Sequence, residues 1–262
     1  MNGQELLIAI PDQLAAVLAS CEQFASTTED ELRAARPHVL AIDEETPRTD
    51  HQLQLDMALF ASAPVAVVPR FAPFQPLLDN GHRFLMAGDG LHLEVRRPWL
   101  HIVHRVGPPL PVRVPYGNVE QRYDFAFGRI GAALKLIQQF VAQARASAPV
   151  EDAALIGWDA NERTLFQQPV ELTRQATASS VQYRMPVLAE HESIAIDLHS
   201  HGHLPAFFSD TDDQDDFGTV KIAGVVGDLD KAEPTVLFRL CVLGLYIPIP
   251  VPAARVFEET QQ

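Results

Sequence analysis

His199, His201, Ser209 and Asp212 stand in the segment HSHGHLPAFFSDTD with the spacing H-x-H-x7-S-x2-D. Two imidazoles and a carboxylate make three protein ligands for a divalent metal of the zinc class, and they leave a fourth tetrahedral position for water. An open position of this kind is the mark of a catalytic metal rather than a structural one. Such chemistry also needs a base that takes a proton from the water and returns it to a leaving group, a task suited to glutamate. Upstream candidates are Glu151, Glu162, Glu171, Glu190 and Glu192. Glu192 opens the histidine segment, far from its metal end. Glu151 lies directly between a helix and an apolar strand, where a charge is costly unless it is partnered or simply exposed at the strand end.

These residues need a strand and a helix to bring them together. In SIAIDLHSH, the aliphatic Ile194, Ile196 and Leu198 alternate with Ala195, Asp197, His199 and His201, so a strand puts the aliphatics on its core face and both histidines on the other. His203 continues the alternation, but glycine before it and Leu-Pro after it end the strand, so it reads as a loop residue lining the site. Ser209 opens SDTDDQDD, which has the composition of a helix N-terminus. Taken alone, Ser209 is best read as an N-cap, with Asp212 closing a capping box. The five aspartates from Asp210 to Asp216 read as a solvated acidic face, and only the register to the histidines singles out Asp212.

Around this centre, Ile130, Ala133, Leu134, Ile137, Phe140, Val141 and Ala144 recur at helical spacing within a run from about Asp124 to Ser147. Pro149 ends that helix, and EDAALIGW follows as a buried strand. Further strands are predicted at TLFQQPVEL, at SVQYRMPVL, and as a pair at VKIAGVVG and TVLFRLCVL around the Asp228-Leu-Asp-Lys turn. Sheet with at least two helices makes the second half α/β or α+β. The proline-rich GPPLPVRVPYG is the best linker, so the chain divides into an N-terminal mixed α+β domain at 1–116, of unknown role, and a second domain at 117–262. In the first part, a helix is predicted from Gln13 to Phe24. His92, His101 and His104 lie in two strands around the Arg97-Pro98 break and read as core or surface histidines, since His101 and His104 face opposite sides.

Composition narrows the function. The chain of 262 residues is 47% hydrophobic, enough for a full core, and its net charge of −14 comes without any dense basic cluster. Direct nucleic-acid binding and attraction to anionic lipid are therefore disfavoured. Cys21 and Cys241 are far apart in apolar settings, so buried thiols are predicted rather than a disulfide. The N-terminus lacks a secretory pattern, and the apolar run from Pro234 to Pro252 is broken by Arg239 and three prolines, so a cytoplasmic protein outside any membrane is expected.

HSHGHLPAFFSDTD resembles the JAMM motif of the JAB/MPN metalloprotease family, and FVAQARASAPVEDAALIGW resembles that family's helix followed by its glutamate-bearing strand. The similarity covers about Asp124 to Val251 and implies a cytidine-deaminase-type mixed sheet flanked by helices. It implies one Zn2+ held by His199, His201 and Asp212, Glu151 as the catalytic base, and Ser209 as a group that steadies the tetrahedral intermediate. The implied activity is hydrolysis of a peptide or isopeptide bond. Here HSHG replaces the common H-S-H-P, and little room remains between Met185 and Ser193 for the helix that most members insert. Within the family, the segment and the long N-terminal extension are most similar to protein A of the PRTRC cassette of bacterial mobile elements. That association implies ThiF-like or ParB-like partner proteins and a ubiquitin-like or sulfur-carrier substrate. The alternative within the family is a non-catalytic metal-binding scaffold that recruits partners. IDLHSHG also resembles the first metal strand of amidohydrolases and PHP-type hydrolases, whose barrels need much more chain; only 61 residues follow His201, with no histidine beyond His203.

Overall fold

The computed structural model describes residues 64–257 apart from Arg113. The helix predicted from Gln13 to Phe24, and Cys21 within it, lie outside the described residues.

The first sheet has five strands in sequential order: β1 Val65–Val67, β2 Gly81–Ala87, β3 Gly90–Arg97, β4 Leu100–Arg105 and β5 Arg122–Phe125. Its histidines behave as the alternation requires. His92 and His101 are buried, and His101 Nε2 lies 2.9 Å from Oε1 of Glu94, a fully buried carboxylate that also accepts from the Leu77 amide and from Arg83 Nε. His104 emerges on the other face, with Nδ1 2.6 Å from the Tyr123 hydroxyl.

Beyond the proline-rich segment the chain first returns to this sheet, because β5 pairs with β4. The periodic run therefore begins its helix later than Asp124. Asp124 pairs with His101, Phe125 and Phe127 stack near Trp99, and the Ala126 amide donates to the Trp99 carbonyl. Ladder bonds thus hold 122–125 as a strand, and aromatic packing seats the turn at 126–127 that follows it. A 3-10 turn at Ile130–Ala133 then leads into α1, Leu134–Ser147, whose Ile137, Phe140, Val141 and Ala144 are buried.

The second sheet has six strands in the order β13-β12-β11-β10-β6-β7. These are β6 Ala153–Asp159, β7 Thr164–Gln168, β10 Glu192–Ser200, β11 Val220–Gly227, β12 Thr235–Val242 and β13 Leu245–Pro248; β8 Glu171–Leu172 and β9 Tyr183–Arg184 form a small hairpin between β7 and β10. The strand predicted over 180–188 shrinks to the two residues of β9, because Pro186 cannot donate to a ladder. The parallel pairing of β10 and β11 demands a crossover, which contains α2, Asp210–Asp216; the short α3, Ala253–Phe257, packs on α1. This mixed sheet with few helices is a JAB/MPN-like α/β arrangement, as predicted.

Register assigns the two faces of the second sheet. Ile196, Leu198, Ile222 and Leu240 are fully buried in the apolar cluster that contains Phe140 of α1 and also Val95, Trp99 and Ile102 of the first sheet. Asp197 and Arg239 both pair with Ala223, and Lys221 pairs with Cys241, so Asp197, His199, Lys221, Arg239 and Cys241 share the opposite face. A bulge between Ile194 and Ile196 shifts the register and leaves Ile194 only partly buried. Among the described residues, no helix is long and apolar enough to cross a membrane.

Burial of Phe140 anchors α1 to the sheet. Phe140→Ala is expected to lower the unfolding free energy by about 3–5 kcal/mol, read from urea denaturation.

Candidate metal centre

His199 lies next to the end of β10, and His201 follows one residue after it. The strand's continuation is fixed by main-chain bonds, since the His201 amide donates to the Val226 carbonyl and the Leu204 amide to the His201 carbonyl. The loop that follows is bolted to the turn after β11. Asp228 N donates to Leu204 O, Leu229 N donates to Gly202 O, and Ala206 N donates to the Thr235 hydroxyl. A side chain at Gly227 would meet Leu204 O at 2.3 Å, so glycine there permits the close approach.

Three donor atoms converge. His199 Nε2 lies 3.2 Å from His201 Nε2 and 3.3 Å from Asp212 Oδ1. His201 Nδ1 is 3.2 Å from the Pro205 carbonyl, which can only accept, so the ring carries its proton on Nδ1 and presents the Nε2 lone pair to the cluster. His199 is pushed toward its neutral form, first by burial, with the Asp212 charge acting against it. Two imidazole nitrogens and a carboxylate oxygen, with separations of 3.2 and 3.3 Å from His199, match edges of a tetrahedron with bonds of about 2.0–2.1 Å, which is the zinc-class geometry. The donor set therefore fits the metal that the spacing implied.

Ser209 is at once an N-cap and part of this centre. Its hydroxyl donates to Asp212 Oδ2 at 2.6 Å, its amide donates to the same oxygen at 2.6 Å, and its Oγ accepts from the Asp212 amide at 3.2 Å. The capping box is complete, and it holds Oδ2 so that Oδ1 faces the histidines. The hydroxyl must turn away from Oδ2 before it can serve any other acceptor. His203 is exposed in the turn and is not among the converging donors.

Glu151 is almost fully buried just before β6, and its carboxyl is pushed up to about 7, first by burial and then by the charge of Asp212. Its amide donates to Thr177 O, at the tip of the β8–β9 hairpin. A buried carboxyl near neutrality that feels the Asp212 carboxylate is suited to proton transfer.

The acidic helix departs from the solvated face predicted for it. Asp216 is buried, with Lys221 Nζ 2.7 Å from its Oδ1 and Arg239 Nη2 2.6 Å from its Oδ2, and Arg239 also binds Asp213. Lys221 reaches Asp197 Oδ2 at 2.6 Å, and Asp197 Oδ1 accepts from Tyr183 of β9 at 2.5 Å. Arg239 is further enclosed between the rings of Phe208 and Tyr246. The sequence carries no sign that these residues form a network, because isolated charges in apolar strands have no spacing signal. The one available clue was that Lys221 and Arg239 interrupt strands otherwise suited to burial. Cys241 is buried as predicted, and burial pushes its thiol up to about 12, with help from Asp216.

The mixed sheet with few helices that carries this His-His-Asp group at the end of its β10 strand has a JAB-like arrangement. Consistent with this, residues 133–241 match the family described as prokaryotic homologs of the JAB domain, a span that holds Glu151, His199, His201, Ser209 and Asp212. Residues 53–126 match a domain of unknown function, DUF2016. No curated protein matches the chain.

Two outcomes are expected. Lys221→Met leaves Asp197 and Asp216 short of a buried counter-charge and should destabilise the protein by about 3–5 kcal/mol in urea denaturation. For Glu151, a carboxyl raised in the folded state holds its proton more tightly there than in the unfolded chain, so its ionisation opposes folding. In metal-free protein this stability is present below about 4.5 and is lost as pH rises through about 7. Glu151→Gln should therefore melt above wild type at about pH 8, and thermal scans across pH should show the gap closing toward about pH 4.

Proposed function

We propose that the chain is a zinc-dependent metallopeptidase or deconjugating isopeptidase acting in the bacterial cytoplasm. The observation that carries this reading is the convergence of His199, His201 and Asp212 beside a buried Glu151 whose carboxyl titrates near neutrality. His199, His201 and Asp212 would hold a zinc-class cation, which when bound would supply Lewis acidity to a water and to a carbonyl oxygen. Glu151 accepts the proton that the water gives up, and its buried setting keeps that proton available for the departing amine. His201, held by the Pro205 carbonyl, and Asp212, held by the Ser209 amide, keep their donor atoms in place even when the Ser209 hydroxyl turns. The Ser209 hydroxyl, once turned off Asp212, is assigned as a donor to the developing oxyanion.

The substrate class follows from the resemblance of HSHGHLPAFFSDTD and its flanks to protein A of the PRTRC cassette. A ubiquitin-like or sulfur-carrier protein joined through a peptide or isopeptide bond is the proposed substrate, with ThiF-like or ParB-like proteins as partners.

The test uses the purified full chain loaded with zinc and an internally quenched isopeptide probe. Glu151→Gln should reduce turnover by about 10²–10⁴-fold while keeping one zinc per chain, and His199→Ala should lose both zinc and turnover. Unimpaired hydrolysis by Glu151→Gln would overturn the assignment of the base. Protein prepared without chelator that holds no zinc would overturn the metal reading.

A further inference from the structure

In the tetrad His199-Ser200-His201-Gly202 the histidines supply donor atoms, and the other two residues contact the segment that carries Glu151. Ser200 is fully buried. Its amide donates to the Asp152 carbonyl at 2.9 Å, and its Oγ accepts from the Asp152 amide at 2.9 Å. In a regular antiparallel rung the second bond would end on the main-chain carbonyl of Ser200. β6 begins only at Ala153, which pairs with His199, so the serine hydroxyl completes a rung one residue beyond the ladder.

Gly202 meets the same segment from its other end. Its φ is +54°, and a Cβ there would lie 2.5 Å from the Pro149 carbonyl oxygen and 3.0 Å from its carbon. Neither a side chain nor the proline of the common H-S-H-P, whose ring fixes φ near −65°, fits this backbone. Pro149 and Asp152 flank Val150 and Glu151, so contacts from the histidine strand bracket the glutamate. Glu151's own amide is tied separately to Thr177 O.

We propose that Ser200 and Gly202 are positioning residues that index Glu151 to the metal ligands, so that base and metal donors move as one body. The inference rests on the metallohydrolase reading above and adds to it the part of the motif that holds no metal. Its physical basis is that misplacing a reacting group by about 1 Å can cost on the order of a hundredfold in rate. A hydroxyl acceptor is what Asp152 needs, so threonine, which keeps the acceptor and suits a strand, should replace serine where alanine should not.

The experiment compares Ser200→Ala, Ser200→Thr and Gly202→Ala with wild type and with Glu151→Gln, all as full chains. Each is loaded with Co2+ for visible absorption and with Zn2+ for chelator competition and for turnover of the isopeptide probe. Glu151→Gln should alter the cobalt spectrum, and Ser200→Ala should alter it likewise while its zinc affinity stays within about threefold of wild type. Turnover by Ser200→Ala should fall about 10- to 100-fold at unchanged KM, and Ser200→Thr should restore both spectrum and most of the turnover. A purely structural serine would lower the melting temperature and leave the spectrum and kcat alone, and that result would overturn the proposal. Equal impairment of Ser200→Thr and Ser200→Ala would overturn it as well. If Ser200→Ala does not fold, Gly202→Ala decides on the same measurements, with a wild-type spectrum and kcat counting against the proposal. If Glu151→Gln itself shows a wild-type spectrum and full turnover, the failure belongs to the functional reading rather than to Ser200 and Gly202.

Discussion

Lys221 lies between Asp197 and Asp216, and Arg239 binds Asp216 and Asp213, with all but Asp213 largely out of water. Asp197 is two residues before His199 on β10, and Asp213 and Asp216 follow Asp212 on α2, so these ion pairs join the strand that bears two donors to the helix that bears the third. Desolvating four charges is expensive, and such a network adds little net stability compared with an apolar replacement. What it specifies is position. α2 is a short helix with a polar sequence, and it has no apolar stripe that would choose one seat on the sheet over another. Directional bonds from Lys221 and Arg239 to particular carboxylate oxygens make that choice.

The same division of labour runs through the second sheet. Its apolar face is built from non-directional contacts with α1 and with the first sheet, which tolerate small shifts. Its other face is built from hydrogen bonds and ion pairs, which do not. Tyr183 extends this network to the hairpin whose tip holds the Glu151 amide. Glu151 and the three converging side chains therefore hang from connected polar contacts, while the fold as a whole rests on the apolar layer beneath.

Ser209 shows why structural and chemical readings of one residue need not compete. A capping box satisfies two amides at the start of α2, and the same bonds orient Asp212. The box would form on any helix of this sequence. It becomes part of a group that could hold a metal only because His199 lies 3.3 Å from the carboxylate oxygen left over.

Much of this was legible in one dimension. Period-two alternation marked β10 and put Asp197 and His199 on one face, period-3.6 spacing marked α1, and the Ser-x-x-Asp pattern marked the start of α2, because each depends on residues close in sequence. The donors His199, His201 and Asp212 were legible for the same reason, all lying within one short segment. Other features depended on partners far along the chain. The strand at 122–125 follows from pairing with β4, the reduced β9 follows from Pro186 and the hairpin, and the burial of Asp216 follows from cations on β11 and β12. The approach of Glu151 to the cluster belongs to this second group, since 48 residues separate it from His199 and only the pairing of β6 with β10 brings them together. By itself the sequence determined which side chains could bind a metal and which local elements would carry them, since types and spacing set those. Only the tertiary structure decided which oxygen of Asp212 faces the histidines, which carboxyl is driven toward neutrality, and which charges go under the helix. Those outcomes are set by burial and by contacts between residues that the chain keeps far apart.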